Sequence, residues 1–149
     1  MTATNHVLTG ALIAAIVRNP VIALPAALLS HFVLDALPHF GMTSHTTKKF
    51  IKVLIVDIVL ASSFLFYLIL HRPDLWQLLV VCSILAASPD LMWFPRFVQE
   101  LKTGKTSHMP FDPITRFHRD IQWFQRPIGL IVEMAWFSSG LILLSPFIR

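Results

Sequence analysis

Three side chains that can bind a metal ion or move a proton lie close together at the end of an apolar stretch: His31, Asp35 and His39. Residues four apart lie on one face of a helix, so His31 and Asp35 point the same way if this stretch is helical. Pro38 ends such a helix, and His39 then emerges near its exit. The sequence therefore predicts a site of imidazole and carboxylate groups at the carboxyl end of an apolar helix.

Further ionisable groups stand in or beside apolar sequence: His6, Asp57, Asp90 and Glu133. An unpaired charge at the centre of a bilayer costs about 2.5–3.5 kcal/mol on insertion scales, so separate carboxylates in apolar helices would be costly. A shared polar cavity offsets that cost. Asp57 has no polar partner one turn away and must be neutral or paired across helices. Asp90 has the alternative of capping the turn after Pro89.

Neutral imidazole and carboxylate oxygen together suit a divalent metal ion, with zinc first and manganese or iron as alternatives. The residues predicted as metal ligands are His6, His31, Asp35, His39, Asp57 and Asp90. Simpler interpretations stay open at this point. His31 and Asp35 can satisfy each other as a hydrogen-bonded pair, His6 and His39 can be solvated at helix ends, and Glu133 can be protonated or pair with an arginine.

The composition indicates what positions these groups. The chain has 149 residues, of which 55% are hydrophobic and 13% are charged, whereas about a quarter of the residues in a soluble protein are charged. The mean hydropathy is +0.67. We therefore predict a polytopic membrane protein with one integral membrane domain over residues 1–149. Its net charge of +4 is typical of inner-membrane proteins, so we expect membrane lipids as partners and no nucleic acid.

The pattern of apolar segments predicts an all-α membrane bundle of about five helices. A short helical hairpin comes first, then three longer apolar helices; the predicted ranges are 4–17, 21–37, 50–70, 75–87 and 127–144. Residues 96–126 form the one long polar segment. Within it, residues 114–124 carry aromatic and apolar side chains at helical spacing among charged ones, which is typical of a helix lying on the membrane interface.

Lysine and arginine residues predict the orientation. Most of them fall in the 41–52 loop and the 96–126 segment, which alternation of the helices places on the same side as the N-terminus. The positive-inside rule makes that side cytoplasmic in a bacterial inner membrane. The ionisable groups in apolar sequence then all lie in the cytoplasmic half. Loop histidines are expected to be solvated, and tryptophans to anchor the interfaces: His45, His71, His108, Trp76, Trp93, Trp123 and Trp136.

Four short motifs resemble the bacterial family of membrane-bound metal-dependent hydrolases, in particular its YdjM-like, LexA-regulated branch. They are His6 followed four residues later by Gly10, the segment Ser30-His31-Phe32-Val33-Leu34-Asp35-Ala36-Leu37-Pro38-His39, the pair Pro89-Asp90, and the pair His118-Arg119. Met92 stands where the family has a second aspartate, and Trp123 where it has a second histidine.

The resemblance implies divalent metal binding and a phosphoester or lipid substrate, and it carries over His6, His31, Asp35, Asp90 and His118. The predicted catalytic residues are Asp57, Asp90 and His118, acting on a metal-activated water. Arg119 and Lys48 are predicted to bind an anionic head group. Two other classes remain: a proton- or ion-coupled transporter that uses Asp57 and Glu133, and a non-catalytic membrane module in which the polar pairs fix helix packing.

Overall fold

The computed structural model describes residues 1–41, 48–105, 110 and 112–148. This part of the chain forms seven α-helices: α1 (Ala3–Val17), α2 (Pro20–Asp35), α3 (Lys48–His71), α4 (Trp76–Ala87), α5 (Phe94–Thr103), α6 (Pro113–Ile121) and α7 (Leu130–Leu144). Short 3₁₀ segments lie at Ser88–Trp93, Pro127–Gly129 and Ser145–Phe147. The predicted all-α bundle is confirmed.

Three helical runs are long and apolar enough to cross a membrane: Lys48–His71, Trp76–Thr103 and Pro127–Phe147. The second run includes α4, the 3₁₀ segment and α5: α4 ends at Ala87, as predicted, and the helical run continues beyond it through the 3₁₀ segment. Pro89 takes the first turn of the 3₁₀ segment, where its missing N–H costs little. The hairpin helices α1 and α2 are shorter, with 15 and 16 residues.

Helix α1 lies inside the bundle. It packs most extensively against α4 and also contacts α2, α7 and α3. Its Ala11, Ala14 and Ala15 are buried, and a Cβ at Gly10 would lie 2.3 Å from the carbonyl oxygen of Cys82. Small residues therefore allow the backbones of α1 and α4 to approach closely, which is how helices in membranes gain packing contacts. A helix too short to span is thus surrounded by α2 and by helices of the three membrane-length runs.

Carboxylates from two other helices satisfy the exposed backbone groups at the start of α1. Asp57 of α3 accepts hydrogen bonds from the amides of Ala3 at 2.7 Å and Thr4 at 2.9 Å. Glu133 of α7 accepts one from the amide of Thr2 at 3.1 Å. The first amides of a helix have no partner within it, and inside an apolar bundle water does not replace one. These carboxylates supply the missing acceptors and oppose the positive end of the helix dipole.

The segments that carry the site are fixed at their ends. Helix α6 begins at Asp112, whose side chain accepts from the amides of Ile114 and Thr115 at 3.0 Å each, with Pro113 in the first helical position. The exit of α2 is tied to the segment before α7, because the amide of His39 donates to the carbonyl of Phe124 at 3.1 Å. Helix α6 is thereby held against the carboxyl end of α2.

Candidate metal site

Four side chains from three parts of the chain converge at the carboxyl ends of α2 and α4. They are His31, Asp35, Asp90 and His118, and one potential ligand atom from each lies within 4.8 Å of all the others. His31, Asp35 and His118 are fully buried, whereas the side chain of Asp90 is 38% exposed. The cluster is therefore enclosed on most sides and accessible beside Asp90.

His31 is oriented by the backbone of α4. Its Nδ1 lies 2.8 Å from the carbonyl oxygen of Ala86, and a carbonyl can only accept, so Nδ1 carries the proton. In the neutral ring Nε2 is left with a lone pair. That nitrogen lies 3.3 Å from Asp35 Oδ2 and 3.6 Å from Asp90 Oδ1. Three hydrogen-bond acceptors therefore face one another. A proton or a metal cation among them would stabilise this arrangement.

Asp35 is the centre of the cluster. Its Oδ2 lies 2.7 Å from Nε2 of His118, and its Oδ1 lies 3.1 Å from Nε2 of His6. The N-terminal amine of Met1 also contacts Oδ1. One carboxylate therefore joins two histidines from different helices in addition to His31 of its own helix.

His118 reaches the cluster through Nε2, which lies 3.0 Å from Nε2 of His31. Its other nitrogen, Nδ1, is 3.2 Å from the indole nitrogen of Trp93 and 3.3 Å from the sulfur of Met92. Trp93 was expected to anchor the membrane interface, yet its N–H points at this imidazole. Met92 contacts the nitrogen of His118 that faces away from the cluster.

The spacing of the cluster fits a single ion. Two ligands at about 2.1 Å from an ion and at right angles to each other lie about 3.0 Å apart. The two Nε2 atoms are 3.0 Å apart, and His118 Nε2 is 2.7 Å from Asp35 Oδ2. The hydrogen bond from His31 to Ala86 is the kind of outer contact that fixes the tautomer and orientation of a ligating histidine. The donor set, two imidazoles and two carboxylates, could hold Zn²⁺, Mn²⁺ or Fe²⁺.

Gln122 also reaches the cluster, although the sequence analysis did not select it. Its side-chain nitrogen lies 2.8 Å from Asp35 Oδ2 and 3.2 Å from His118 Nε2. A signal was present in the sequence, because Gln122 follows His118 by four residues and therefore shares its helix face. The neighbouring Trp123, at the place of the family's second histidine, is 69% exposed and donates to the carbonyl of Ala36 at 2.8 Å.

Asp57 corrects the sequence prediction, which gave it both a metal-binding and a catalytic role. Its two carboxylate oxygens accept from the amides of Ala3 and Thr4 and from the hydroxyl of Thr4. The carboxylate is paired across helices, as an isolated aspartate in an apolar helix must be, but with backbone donors and not with a metal site. Asp90, for which turn capping was the alternative, belongs to the cluster.

The other predicted ligand histidines differ in position. His6 borders the cluster: it contacts Asp35, and its ring stacks on that of His31 with centroids 4.0 Å apart. His39 is not brought to the cluster. Its Nδ1 donates to the carbonyl of Leu37 at 2.8 Å, and its buried Nε2 has no hydrogen-bond partner among the described residues. Burial lowers the pKa of His39, which favours the neutral ring.

The predicted substrate-binding residues lie on the surface. Arg119 is exposed, and its guanidinium donates to Asp120 at 2.7 and 2.9 Å. Lys48 is exposed in the first turn of α3. Among the loop histidines His71 is exposed as expected, whereas His45 and His108 lie outside the described residues. Glu133 accepts from the amides of Thr2 and Phe40, so the sequence-based alternative of an arginine partner is replaced by backbone donors.

Comparisons of the chain with protein-family models, with curated proteins and with solved structures find no match.

Proposed function

We propose that this protein is an integral-membrane metal-dependent hydrolase that acts on a phosphoester or lipid-like substrate at the cytoplasmic face of a bacterial inner membrane. The observation that carries the proposal is the convergence of His31, Asp35, Asp90 and His118 within 4.8 Å. His31 and Asp35 are one helical turn apart, and Asp90 and His118 come from distant parts of the sequence. Imidazole and carboxylate groups that meet inside an apolar bundle are costly to bury unless they share a partner.

Each residue has a distinct part in the proposed site. His31 and His118 offer Nε2 atoms, and Asp35 holds both imidazoles through one carboxylate. Asp90 is the member that solvent reaches, so it is placed to accept a proton from an incoming water. A bound divalent ion supplies Lewis-acid activation of water and of a phosphoryl oxygen. His6 supports Asp35 from the side opposite His118.

The surroundings of the cluster favour an anionic substrate from the membrane. Helix α6, which carries His118, exposes Ile114 and Phe117, as an interfacial helix does. Arg116 and Arg119 are exposed on the same helix. Exposed cations beside apolar side chains attract the head groups of anionic lipids, at about 1 kcal/mol per basic residue near the surface. By the positive-inside rule, the same residues favour a cytoplasmic location for this end of the bundle.

The contacts of two other carboxylates disfavour the transporter alternative. That alternative needs Asp57 and Glu133 to exchange protons along a path through the membrane. Both accept hydrogen bonds from backbone amides at the start of α1, so each is engaged as a helix cap and not directed into a path across the membrane. The motif resemblance to the metal-dependent hydrolases supports the enzyme class.

The first test is metal analysis of the protein purified in detergent without chelators. We expect about one divalent ion per chain in the unmodified protein, since four ligands suffice for one ion. We expect none in the double variant His31→Ala, Asp35→Ala. The control is His71→Ala, which removes an exposed histidine at the far end of α3 and leaves the metal content unchanged. An unmodified protein that contains no divalent ion would refute the proposal.

The second test is hydrolysis. The metal-loaded protein in anionic vesicles is assayed for release of the head group from phospholipid and for cleavage of a chromogenic phosphate ester. We expect turnover that stops on chelation and in Asp90→Asn. If the protein binds metal but cleaves neither class of phosphoester, the metal site stands and the proposed hydrolase function is refuted. Proton or ion flux in the same vesicles, without hydrolysis, would favour the transporter.

A further inference from the structure

Gln122 contacts the metal cluster at the two atoms that are most tightly placed within it. Its side-chain nitrogen lies 2.8 Å from Asp35 Oδ2 and 3.2 Å from His118 Nε2. Those two atoms are themselves 2.7 Å apart. The amide is thus a third member of a close group of polar atoms.

The position of Gln122 is set by α6. It is the residue after the last turn of the helix, and its backbone amide donates to the carbonyl of Arg119 at 3.2 Å. Four residues separate it from His118, so both side chains project from the same face toward α2. The next residue, Trp123, is 69% exposed and donates to the carbonyl of Ala36. At the end of α6, position 122 is therefore the one whose side chain contacts the carboxylate of Asp35.

Neither orientation of the Gln122 amide satisfies both neighbours by hydrogen bonding alone. Trp93 donates to His118 Nδ1, which leaves the proton of a neutral His118 on Nε2. With its NH₂ group toward the cluster, Gln122 bonds Asp35 but meets the N–H of His118. Turned over, its oxygen accepts from His118 but meets the carboxylate oxygen of Asp35. The oxygen and nitrogen of an amide are assigned from such networks, and here each assignment leaves one repulsive contact.

A cation between these atoms removes the conflict at Gln122, and the ring proton of His118 then lies on Nδ1, 3.3 Å from the sulfur of Met92 and 3.2 Å from the indole nitrogen of Trp93. His118 Nε2, Asp35 Oδ2 and the amide oxygen of Gln122 then each present a lone pair to one positive charge. Amide oxygen is a ligand that hard and borderline divalent ions accept together with carboxylate and imidazole. The nitrogen of the amide is then free to face outward.

We propose that Gln122 is a fifth ligand of the metal site and binds the ion through its side-chain oxygen. This inference rests on the metal site of the proposed function. It extends the donor set to two imidazoles, two carboxylates and one amide, which favours an ion that accepts five or six ligands, such as Mn²⁺ or Fe²⁺, over a four-coordinate structural Zn²⁺.

The test uses Co²⁺ as the probe, because its visible absorption reports the number and type of its ligands. The full-length protein in detergent is titrated with Co²⁺ as the unmodified chain, as Gln122→Leu and as Gln122→Glu. We expect Gln122→Leu to weaken binding about 10-fold or more and to change the Co²⁺ absorption bands, since a ligand is lost. We expect Gln122→Glu to bind more tightly, because a carboxylate replaces the amide oxygen.

The glutamate variant separates a ligand from a positioning residue. If Gln122 only donated a hydrogen bond to Asp35, a carboxylate at this position would repel Asp35 and weaken binding. Weaker Co²⁺ binding in Gln122→Glu, or unchanged absorption bands in Gln122→Leu, would therefore overturn the inference. The control is Gln77→Leu, an exposed glutamine at the start of α4, which should bind as the unmodified protein does.

The outcomes also distinguish this inference from the proposed function. If the unmodified protein and Gln122→Leu bind Co²⁺ equally and His31→Ala does not bind it, the four-residue metal site stands and Gln122 is not a ligand. Unmodified protein that binds no Co²⁺ would overturn both. Each variant is first checked for a single size-exclusion peak and unchanged helix content, so that unfolding is not counted as loss of a ligand.

Discussion

Two groups of carboxylates lie at the same end of the bundle and differ in what surrounds them; Asp35 and Glu133 are buried, whereas Asp57 and Asp90 are half-buried. Asp57 and Glu133 accept hydrogen bonds from backbone amides at the start of α1, and amide N–H groups do not ionise. Asp35 and Asp90 face the histidines His31 and His118. In the first group the hydrogen-bond donors match the carboxylate acceptors, so these carboxylates cap the helix and need no further partner. In the second group the Nε2 lone pair of His31 faces carboxylate oxygens of Asp35 and Asp90, an arrangement that a cation would complete.

A carboxylate in an apolar helix therefore does not by itself indicate a functional site. Both groups are costly to bury alone, and both are stabilised by partners. What separates them is the chemistry of the partners: fixed N–H groups bind only the carboxylate, whereas imidazole nitrogens can exchange a proton for a metal.

The largest effect is expected for Asp35→Ala. It removes the carboxylate that joins His6, His31 and His118, so metal affinity should fall by about 100-fold or more, as for loss of a metal ligand with its support. Competition with a chromophoric chelator measures the change. Asp57→Ala serves as the matched control, since it removes a carboxylate of the other group and should leave the affinity of the folded protein unaltered. Equal losses in both variants would remove the distinction between the groups.

Asp57→Ala should instead reduce stability. It leaves the amides of Ala3 and Thr4 without an acceptor inside the bundle, at about 1–3 kcal/mol for an unsatisfied buried donor. We expect a lower thermal unfolding temperature in detergent, with partial recovery in Asp57→Asn because that side chain keeps one acceptor oxygen. An unchanged unfolding temperature would show that the cap contributes nothing to the fold.

A smaller effect is expected for Trp93→Phe. A metal on His118 Nε2 places the ring proton on Nδ1, where it faces the sulfur of Met92 but also the N–H of Trp93. Removing that N–H should raise metal affinity a few-fold, at the lower end of the range known for outer contacts of a ligand. Trp136→Phe, which removes an N–H bound to Thr9, is the control. A loss of affinity in Trp93→Phe would contradict this arrangement of protons.

The smallest effect concerns the start of α6. The Thr115 hydroxyl and the backbone amides of Thr115 and Ile114 hold the pKa of Asp112 below its usual value. A lowered pKa stabilises the folded state above the unfolded pKa of about 3.9, and that contribution is lost as the pH falls through the lower folded pKa. Thermal melts should therefore show an acid-dependent loss that is absent in Asp112→Asn, which caps without titrating. Identical pH profiles for the two proteins would argue against a charged cap.

Much of the fold could be predicted because it follows from local pattern. The short hairpin, the helices predicted at 50–70 and 127–144 and the interfacial helix predicted at 114–124 follow from segment length and spacing, whereas the run predicted over 75–87 extends to Thr103. The additional helix α5 was not predicted, because Pro89 reads as a break in sequence although a 3₁₀ turn carries the helical run through it. Local pattern does not determine whether a proline ends a helix or only changes its type.

The candidate site was predictable in part. His31 and Asp35 share a face because they are four residues apart, and Asp90 and His118 came from short motifs. Asp57 and Asp90 could not be ranked from sequence, since each is a single carboxylate beside apolar residues. Their partners come from α1 in one case and from α2 and α6 in the other, and these pairings depend on how the helices pack. Gln122 was missed because an amide four residues from a histidine is common on any helix.

The sequence alone was sufficient to predict an all-α chain, its main apolar helical segments and the shared direction of His31 and Asp35. These properties depend on periodicity and length, which are local. Only the tertiary structure decided which carboxylate caps α1 and which one meets the histidines. That choice depends on close packing of α1 against α4 and on the docking of α6 at the end of α2, contacts between residues that the chain itself keeps far apart.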